Sequence, residues 1–265
     1  MNKSQPCTVP EFVHQFRQTC PQPGLIATDM DGTLTRRGQF SADLFQGLAQ
    51  LQQAGWTVLI VTGRSAGWVQ GIAHYLPIAG AMAENGGLYF PGTDRPEYLS
   101  TLANPATHRD DLREVFGALQ AQGFDLTPAA DNAFRMTDWT FAIDGLTPTD
   151  LTQMAEICHA LGWGFTYSTV QGHIFPRGQS KAAGLQRVIQ RHFPAFTPDQ
   201  VITLGDSPND ASLFDGDRFP QSVGVANVKH YWDHLAHHPR CVTQRAEVEG
   251  FLDLVQALLG SRFPR

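Results

Sequence analysis

The sequence predicts an α/β fold in which a doubly wound parallel sheet carries an inserted α+β domain. Apolar runs alternate with amphipathic helical stretches in both outer parts of the 265-residue chain, a pattern typical of parallel sheets covered by helices on both faces. Between about residues 94 and 172 short strands group around two helices instead. We therefore predict a Rossmann-like core at 1–93 and 174–265, and a separate domain at 94–173.

The elements of the first core segment follow from apolar runs, capping residues and turns. Ser41 is a favourable N-cap and Gly55 a favourable helix end, so a helix is predicted between them. The Glu-Asn-Gly-Gly turn at 84–87 separates two apolar runs and predicts an antiparallel hairpin. A further helix is predicted at 66–75, and strands at 25–29, 58–61, 78–83 and 88–90.

The inserted segment and the second core segment carry similar signals. Thr107 and Asp110 are spaced like an N-terminal cap, and Pro148 suits the first turn of a helix. These residues predict helices at 107–121 and from Pro148 onward, with strands within 136–144, 164–169 and 173–176. The second core segment is predicted to have helices at 180–192, around His230 and at 250–259, and strands at 201–204, 222–226 and 241–243.

Composition excludes several classes of protein. The net charge of −6 offers no basic surface for nucleic acid or an anionic membrane. The four cysteines are scattered without a C-x-x-C pair, which argues against a zinc ribbon or a disulfide framework and suits a reducing compartment. No run of about 18 apolar residues or signal-peptide core is present, so we expect a cytoplasmic protein.

Polar residues follow three of the predicted parallel strands. Asp29 and Asp31 end the first, Thr62-Gly63-Arg64 ends the second, and the sequence Asp-Ser-Pro-Asn-Asp at 206–210 ends the third. Ligands of open parallel sheets bind at the carboxyl ends of the strands. We therefore expect these residues, although far apart in the sequence, to form one site.

The expected site is rich in carboxylates. Asp29, Asp31, Asp206 and Asp210 place up to four negative charges in one pocket, and such charges repel unless a cation relieves them. Mg²⁺ binds oxygen ligands and often shares them with a substrate phosphate. A calcium loop is the main rival, but counting from Asp29 it lacks the required glycine at position 6 and glutamate at position 12.

The remaining residues of the expected site are suited to a phosphate group. Thr62 offers a hydroxyl, Gly63 a backbone amide, and Lys181 a charge near a helix N-terminus. Taken singly, each residue is more typical of an ordinary turn or surface position. Their occurrence together, each after a strand or at a helix start, predicts a metal-and-phosphate site.

Four motifs of the chain resemble those of the haloacid dehalogenase-like phosphatase superfamily. They are Asp-Met-Asp-Gly-Thr-Leu at 29–34, Thr-Gly-Arg at 62–64, Lys181, and Gly-Asp-Ser-Pro-Asn-Asp at 205–210. The Glu-Asn-Gly-Gly turn and the insertion resemble the type IIB branch, whose cap domain is of the C2 class. That branch includes Cof-type sugar phosphatases, sucrose-phosphate phosphatase and mannosyl-3-phosphoglycerate phosphatase, and the insertion is similar in length to the shorter caps of the last two.

The resemblance implies a role for each matching residue. Asp29 is then the nucleophile that forms an aspartyl-phosphate, and Asp31 the general acid and base. Mg²⁺ would lie between Asp29, the Asp31 carbonyl and Asp206. The resemblance also implies the following supporting residues: Thr62, Gly63 and Lys181 for phosphate charge, Asn209 and Asp210 for the metal's water shell or for orienting Asp206 and Lys181, and Gly32 and Thr33 for the turn.

The substrate is less well defined by the sequence. We expect a small phosphorylated sugar or osmolyte precursor, with a sugar phosphomutase or a phosphoglycolate-type phosphatase as alternatives. A non-enzymatic phosphosugar-binding module would be expected to have lost a carboxylate, and all four are present. Arg64 either reaches the phosphate or braces its helix. Glu84 and Asn85 lie on a turn at the same sheet edge and are candidates for contact with the substrate.

Two further groups of residues are weaker candidates. A helix through 230–238 would place four histidines on one face, although an exposed polar face is the commoner reason for such a run. Those histidines are His230, His234, His237 and His238. In the inserted domain, the candidates for contact with a sugar or carboxylate of the substrate are Arg135, Asp138, Trp139, His173 and Arg177.

Overall fold

The computed structural model describes residues 6–92, 95–168 and 170–260. Its α-helices are α1 (Val9–Thr19), α2 (Ala42–Gln53), α3 (Ala66–Tyr75), α4 (His108–Ala121), α5 (Pro148–Ala160), α6 (Lys181–His192) and α7 (Glu247–Leu259). The strands of the first half are β1 (Leu25–Thr28), β2 (Thr57–Val61), β3 (Gly80–Ala83), β4 (Leu88–Phe90) and β5 (Glu97–Tyr98). The remaining strands are β6 (Trp139–Ala142), β7 (Trp163–Tyr167), β8 (Gln171–Pro176), β9 (Val201–Gly205), β10 (Gln221–Gly224) and β11 (Cys241–Val242).

A largely parallel sheet forms the core and confirms the predicted α/β class. Within the described residues its order is β11-β10-β9-β1-β2-β3-β4-β5, and only the β3–β4 and β4–β5 pairs are antiparallel. The predicted hairpin at the Glu-Asn-Gly-Gly turn is therefore confirmed. None of the helices among the described residues has the length and apolar character needed to span a bilayer.

Alternating side chains of the central strands face two hydrophobic layers. Ile26 points to the side covered by α1, α2, α3 and α7, where Phe12 and Phe251 are fully buried. Leu25 points to the opposite side, where α6 contributes Leu185. Because side chains of a strand alternate between faces, continuous apolar runs such as Leu25–Thr28 are required for a sheet covered on both sides.

A smaller antiparallel sheet belongs to the inserted segment. Its order is β6-β8-β7, and α4 and α5 pack against it through a separate hydrophobic cluster that includes Phe116, Phe141 and Met154. We call residues 95–176 the cap. The predicted boundary between 173 and 174 falls inside β8, so we propose to place it after Pro176. The other predicted boundary, between 93 and 94, lies outside the described residues.

Three local predictions need correction. The segment around His230 is a 3₁₀ helix (Ala226–His234), and Val228 alone is buried in it, so it lacks the apolar stripe that would hold an α-helix. His237 and His238 lie beyond its end, and the shared histidine face does not exist. Thr107 precedes α4 but makes no side-chain cap. The short β5 and the whole of α1 were not predicted from the sequence.

Candidate active site

The three polar strand ends converge at one edge of the sheet. In β1, Thr28 is paired with Ile60 of β2 and Leu204 of β9. The backbone amide of Asp29 continues this pattern by donating to the Leu204 carbonyl at 3.0 Å. The residues that follow the strands, at 29–31, 62–64 and 206–210, therefore lie around one point, as the sequence predicted.

Lys181 joins two of the predicted carboxylates at the centre of this site. Its Nζ donates to Asp29 Oδ1 at 2.5 Å and to Asp210 Oδ1 at 2.6 Å, and its side chain has no exposed surface. Burial lowers the pKa of Lys181, but the two carboxylates outweigh it and hold the pKa above its usual value. Lys181 begins α6, where Ser180 accepts the Ala183 amide as N-cap.

Both carboxylate oxygens of Asp210 accept hydrogen bonds from protein groups. Oδ1 accepts from Lys181, and Oδ2 accepts the backbone amides of Asp206 at 2.9 Å and Ser207 at 3.1 Å. Asp210 therefore contacts the loop after β9 and the lysine at once. The side chain of Asn209 bonds to Asn85 and Ser207.

Asp206 faces the same centre from the end of β9. Its Oδ1 accepts from the Thr33 hydroxyl at 3.2 Å and its Oδ2 from Asn227 Nδ2 at 2.9 Å. One carboxylate oxygen each from Asp29, Asp206 and Asp210 lies within 4.8 Å of the others, and all three residues are buried. Such a cluster with a single lysine carries excess negative charge, which fits a hard cation with oxygen ligands.

Burial and the crowding of negative charge raise the pKa values of carboxylates in the site. Burial raises the pKa of Asp29 from 3.8 to about 7, with Lys181 opposing the shift and Asp210 and Asp31 adding to it. Burial and the nearby Asp29 also raise the pKa of Asp206. Outside the cluster, burial raises the pKa of Glu84 from 4.5 to about 7.

We expect the stability of the metal-free protein to fall as the pH rises from about 4 to about 7. In this window the folded protein keeps protons that the unfolded chain has released, because the folded pKa values of Asp29 and Glu84 are raised to about 7. Urea unfolding in EDTA at several pH values measures the effect, and the slope should be shallower in Asp29→Asn. A free energy of unfolding that rises across this window contradicts the charge assignment.

Asp31 is held by Arg64 in a two-pronged ion pair. Nε and Nη2 of Arg64 donate to the Asp31 carboxylate at 2.8 and 2.6 Å, and the guanidinium also lies over the Trp68 ring, 4.9 Å from its centroid. The Gly32 backbone that follows has a φ of +77°, and an added Cβ would lie 2.5 Å from Asp206. Glycine is therefore required here for the two aspartates to approach the β9 loop.

Thr62 and Gly63 form a tight turn beside Asn85. The Thr62 hydroxyl accepts the Arg64 amide at 3.1 Å, and the Thr62 carbonyl accepts the Asn85 amide at 3.0 Å. A Cβ added to Gly63 would lie 3.1 Å from both Asn85 and His173. The Asn85 Nδ2 is buried without a partner in the part of the chain that the structure describes.

The cap lies over this edge, and a narrow, partly open space of about 20 Å³ remains between them. Asp29, Asp31, Gly63 and Arg64 form its core side, and His173 is a cap residue on the opposite side. Of the other predicted cap candidates, Arg177 lines an adjoining cleft of about 310 Å³ that also reaches Lys181 and Asn85. Trp139 instead packs inside the cap against Phe116.

Glu84 was only a minor candidate in the sequence, yet it is a main contact between core and cap. Its buried carboxylate accepts the Met136 amide at 3.0 Å, and the Thr137 amide and hydroxyl at 2.6 and 2.7 Å. It also accepts the Ala66 amide at the start of α3. This single side chain therefore ties the cap to the helix that follows the Thr62–Arg64 turn.

Asn227 is a site residue that the sequence analysis missed. Its Nδ2 donates to Asp206 at 2.9 Å and to the Gly32 carbonyl at 3.0 Å, while its Oδ1 accepts the Glu247 amide. It lies 17 residues beyond the end of the last motif, in a segment without a recognisable pattern. Only the position of β10 beside β9 brings it to the site.

We expect Asn227→Ala to weaken metal binding rather than to unfold the protein. Groups that hold a metal-binding carboxylate typically contribute 10- to 100-fold to metal affinity. The Mg²⁺ concentration that half-saturates the expected metal site should therefore rise by about 10- to 100-fold. Asn104→Ala, at an exposed position of the cap, is the matched control. An unchanged Mg²⁺ requirement in Asn227→Ala would show that Asp206 needs no such support.

The fold and the carboxylate–lysine cluster define a class of hydrolases that the sequence comparisons also identify. The sequence profile of the haloacid dehalogenase-like hydrolases matches residues 26–131 and 147–254, well over half of the chain. The chain therefore belongs to the haloacid dehalogenase-like hydrolase family and is an enzyme of its phosphatase group.

Known relatives and structures are similar along most of the chain. A phosphoglycolate phosphatase of Aeropyrum pernix is 26% identical over 240 residues, which cover 89% of this chain and 93% of the relative. One from Thermoplasma acidophilum is 26% identical over 192 residues, covering 72% and 80%.

Solved structures with low identity share the fold. The crystal structure of Thermoplasma acidophilum 0175 has a TM-score of 0.72 at 21% identity and covers 90% of this chain and 99% of its own. The sucrose-phosphatase of Synechocystis, solved with sucrose and phosphate, has a TM-score of 0.63 at 19% identity, with coverage of 89% and 98%. These likenesses extend the shared fold through the cap as well as the core.

Proposed function

We propose that this protein is a Mg²⁺-dependent phosphomonoesterase that acts on a small phosphorylated sugar or osmolyte precursor through an aspartyl-phosphate. The observation that carries the proposal is the buried Lys181, which joins Asp29 to Asp210 beside Asp206. This arrangement offers a nucleophile, a cation for phosphate oxygens and carboxylate ligands for a metal in one place.

The buried carboxylate cluster offers oxygen ligands that suit Mg²⁺. Following the resemblance of the motifs, we assign Asp29, Asp206 and the Asp31 carbonyl as the metal's protein ligands. Asp210 binds Lys181 and two backbone amides, contacts that suit a residue orienting this group. A bound Mg²⁺ would neutralise phosphate charge that otherwise repels the attacking carboxylate.

Asp29 supplies the attacking oxygen. Its Oδ1 is bonded to Lys181, and among the described residues no group hydrogen-bonds Oδ2. Oδ2 forms a bond to phosphorus while the bond from phosphorus to the leaving oxygen breaks. The Thr62 hydroxyl, the Gly63 amide and Lys181 stabilise negative charge on the other phosphate oxygens.

Asp31 is the general acid and the general base of the reaction. It protonates the leaving oxygen in the first half and takes a proton from the attacking water in the second. In the structure its carboxylate is engaged by Arg64, so it must turn from this partner toward the substrate. Arg64 braces Asp31 in the resting site, a contact that neither predicted role, phosphate binding or bracing of its helix, included.

The space beside the catalytic residues is narrow. About 20 Å³ lies among Asp29, Asp31 and His173, and an adjoining cleft of about 310 Å³ reaches Lys181. We expect the cap to move away from the Thr62–Arg64 turn when a larger substrate binds. The names of the relatives favour phosphoglycolate as an alternative substrate.

A substrate screen tests the proposal directly. Purified protein is mixed with hexose phosphates, sucrose 6-phosphate, mannosyl-3-phosphoglycerate and phosphoglycolate, and free phosphate is measured with Mg²⁺ and with EDTA. Release of phosphate only with Mg²⁺ supports the proposal. Interconversion of sugar 1- and 6-phosphates without release would instead show a phosphomutase.

A further inference from the structure

A buried polar cluster of the cap has no part in the proposed chemistry. Arg135 donates from Nη1 to Asp138 at 2.9 Å, and Asp138 Oδ2 is 3.0 Å from His173 Nδ1. The side chains of Arg135 and Asp138 have no exposed surface, and that of His173 is 2% exposed. Burying such a cluster is costly unless its geometry is exact enough to satisfy every charge.

The cluster is fixed to the phosphate-binding turn of the core. Arg135 Nη1 also donates to the Gly63 carbonyl at 3.0 Å. Glu84 holds the next residues, Met136 and Thr137, by their backbone amides. With the cap closed, the position of His173 is therefore set relative to the turn at Thr62–Arg64.

These contacts orient the imidazole of His173. Burial raises the pKa of Asp138, but Arg135 and His173 outweigh it, so the net shift is downward and Asp138 is ionised. Burial lowers the pKa of His173 more strongly than Asp138 raises it. A neutral imidazole beside an ionised carboxylate carries its proton on Nδ1, which leaves Nε2 as a hydrogen-bond acceptor.

Nε2 is the ring nitrogen that protein contacts leave available to a ligand in the space beside His173. His173 lines the space that contains Asp29, Asp31 and Arg64, while Nδ1 is occupied by Asp138. Among the described residues none hydrogen-bonds Nε2. The neighbouring Gln171 is engaged with Arg135 and Asp131, and therefore does not compete for the same ligand group.

We propose that His173 recognises the leaving group of the substrate by accepting a hydrogen bond from a hydroxyl next to the ester oxygen. The inference rests on the proposed phosphatase function and narrows its substrate class. A polyol or sugar phosphate presents such a hydroxyl, whereas a carboxylate at the same place has no proton to donate and would meet an acceptor. His173 therefore favours hydroxyl-bearing leaving groups over glycolate.

Three small esters on a two-carbon skeleton separate these cases. 2-Hydroxyethyl phosphate carries a hydroxyl on its second carbon, ethyl phosphate carries only hydrogen there, and in phosphoglycolate the second carbon is a carboxylate. In the wild-type enzyme with Mg²⁺, we expect kcat/KM for 2-hydroxyethyl phosphate to exceed that for the other two by about 10-fold or more, since the site's acceptor is left unpaired by both.

Two substitutions at one position separate recognition from folding. His173→Asn keeps a donor for Asp138 and removes the atom that faces the enclosed space, so the preference for 2-hydroxyethyl over ethyl phosphate should fall to about 3-fold or less. His173→Gln places an acceptor near the former Nε2 and should restore part of it. His108→Gln changes another buried cap histidine, which bonds to the Thr137 carbonyl, and should keep the wild-type preference.

The outcomes test the phosphatase function and the role of His173 separately. An unchanged preference in His173→Asn, or a loss confined to phosphoglycolate, overturns the inference while phosphate release still supports the phosphatase. No release from any ester by the wild-type enzyme overturns the phosphatase function and the inference together. Equal losses for all three esters in His173→Asn show a structural role only and also overturn the inference.

Discussion

Asp29→Asn is expected to abolish phosphate release while the protein stays folded. The amide cannot form an acyl phosphate, so we expect kcat to fall by at least about 10³-fold, equivalent to about 4 kcal/mol in the barrier. Folding should tolerate the change, because burial already disfavours the charge of Asp29 and raises its pKa to about 7. Lys181 keeps its second partner, Asp210.

The experiment compares phosphate release with urea unfolding for the same preparations. Asp217→Asn, at an exposed position, is the matched control and should retain wild-type activity. Activity of Asp29→Asn within 10-fold of the wild type would exclude Asp29 as the nucleophile. If activity and the folded state are lost together, borohydride trapping of the acyl phosphate in the wild-type enzyme tests the role of Asp29 instead.

Lys181→Met is expected to have the largest effect on stability. Removing one partner of a buried ion pair typically costs about 3–5 kcal/mol, because the remaining charge stays buried without compensation. Here both Asp29 and Asp210 lose their partner. At pH 8 in EDTA we therefore expect the free energy of unfolding to fall by about 3 kcal/mol or more, and phosphate release to be lost.

Mg²⁺ should restore part of this stability, because a cation bound to the carboxylates replaces some of the missing positive charge. Lys229→Met removes an exposed lysine and should leave both stability and activity unchanged. If Lys181→Met unfolded at the same urea concentration as the wild type, the stability of the protein would not depend on the lysine. Restored stability without restored activity is the combination we predict.

Several parts of the site followed from the sequence because they lie on regular elements. The carboxyl ends of neighbouring parallel strands share one edge, so Asp29, Thr62 and Asp206 could be brought together before any coordinates were known. The position of Lys181 at the start of a helix was predictable for a different reason, because Ser180 is a favourable N-cap. Local pattern and sheet topology were sufficient at these positions.

Other parts depend on contacts that no local pattern encodes. Asn227 reaches Asp206 only because β10 lies beside β9, and Glu84 reaches Thr137 only when the cap is closed. Arg64 has a long side chain and several carboxylates nearby, and it pairs with Asp31. Such choices depend on packing and desolvation across elements, which a single sequence does not display.

The cap shows the same limit at a larger scale. Its strands were expected from their turns and apolar residues, but the cluster of Arg135, Asp138 and His173 arises from the antiparallel register that places His173 opposite Thr140. One residue of slip would turn His173 to the other face of the sheet. The proposed substrate contact of His173 is therefore fixed by strand register, and this residue was one of several candidates in the sequence.

The central claim is that Asp29 becomes covalently phosphorylated during turnover. The most direct measurement is an acid-quenched single turnover with Mg²⁺, followed by borohydride reduction and mass mapping of the chain. Borohydride converts an acyl phosphate of aspartate to homoserine, so we predict homoserine at position 29 and nowhere else, and none in Asp29→Asn. Phosphate release with no homoserine, or with homoserine at another aspartate, would contradict the account.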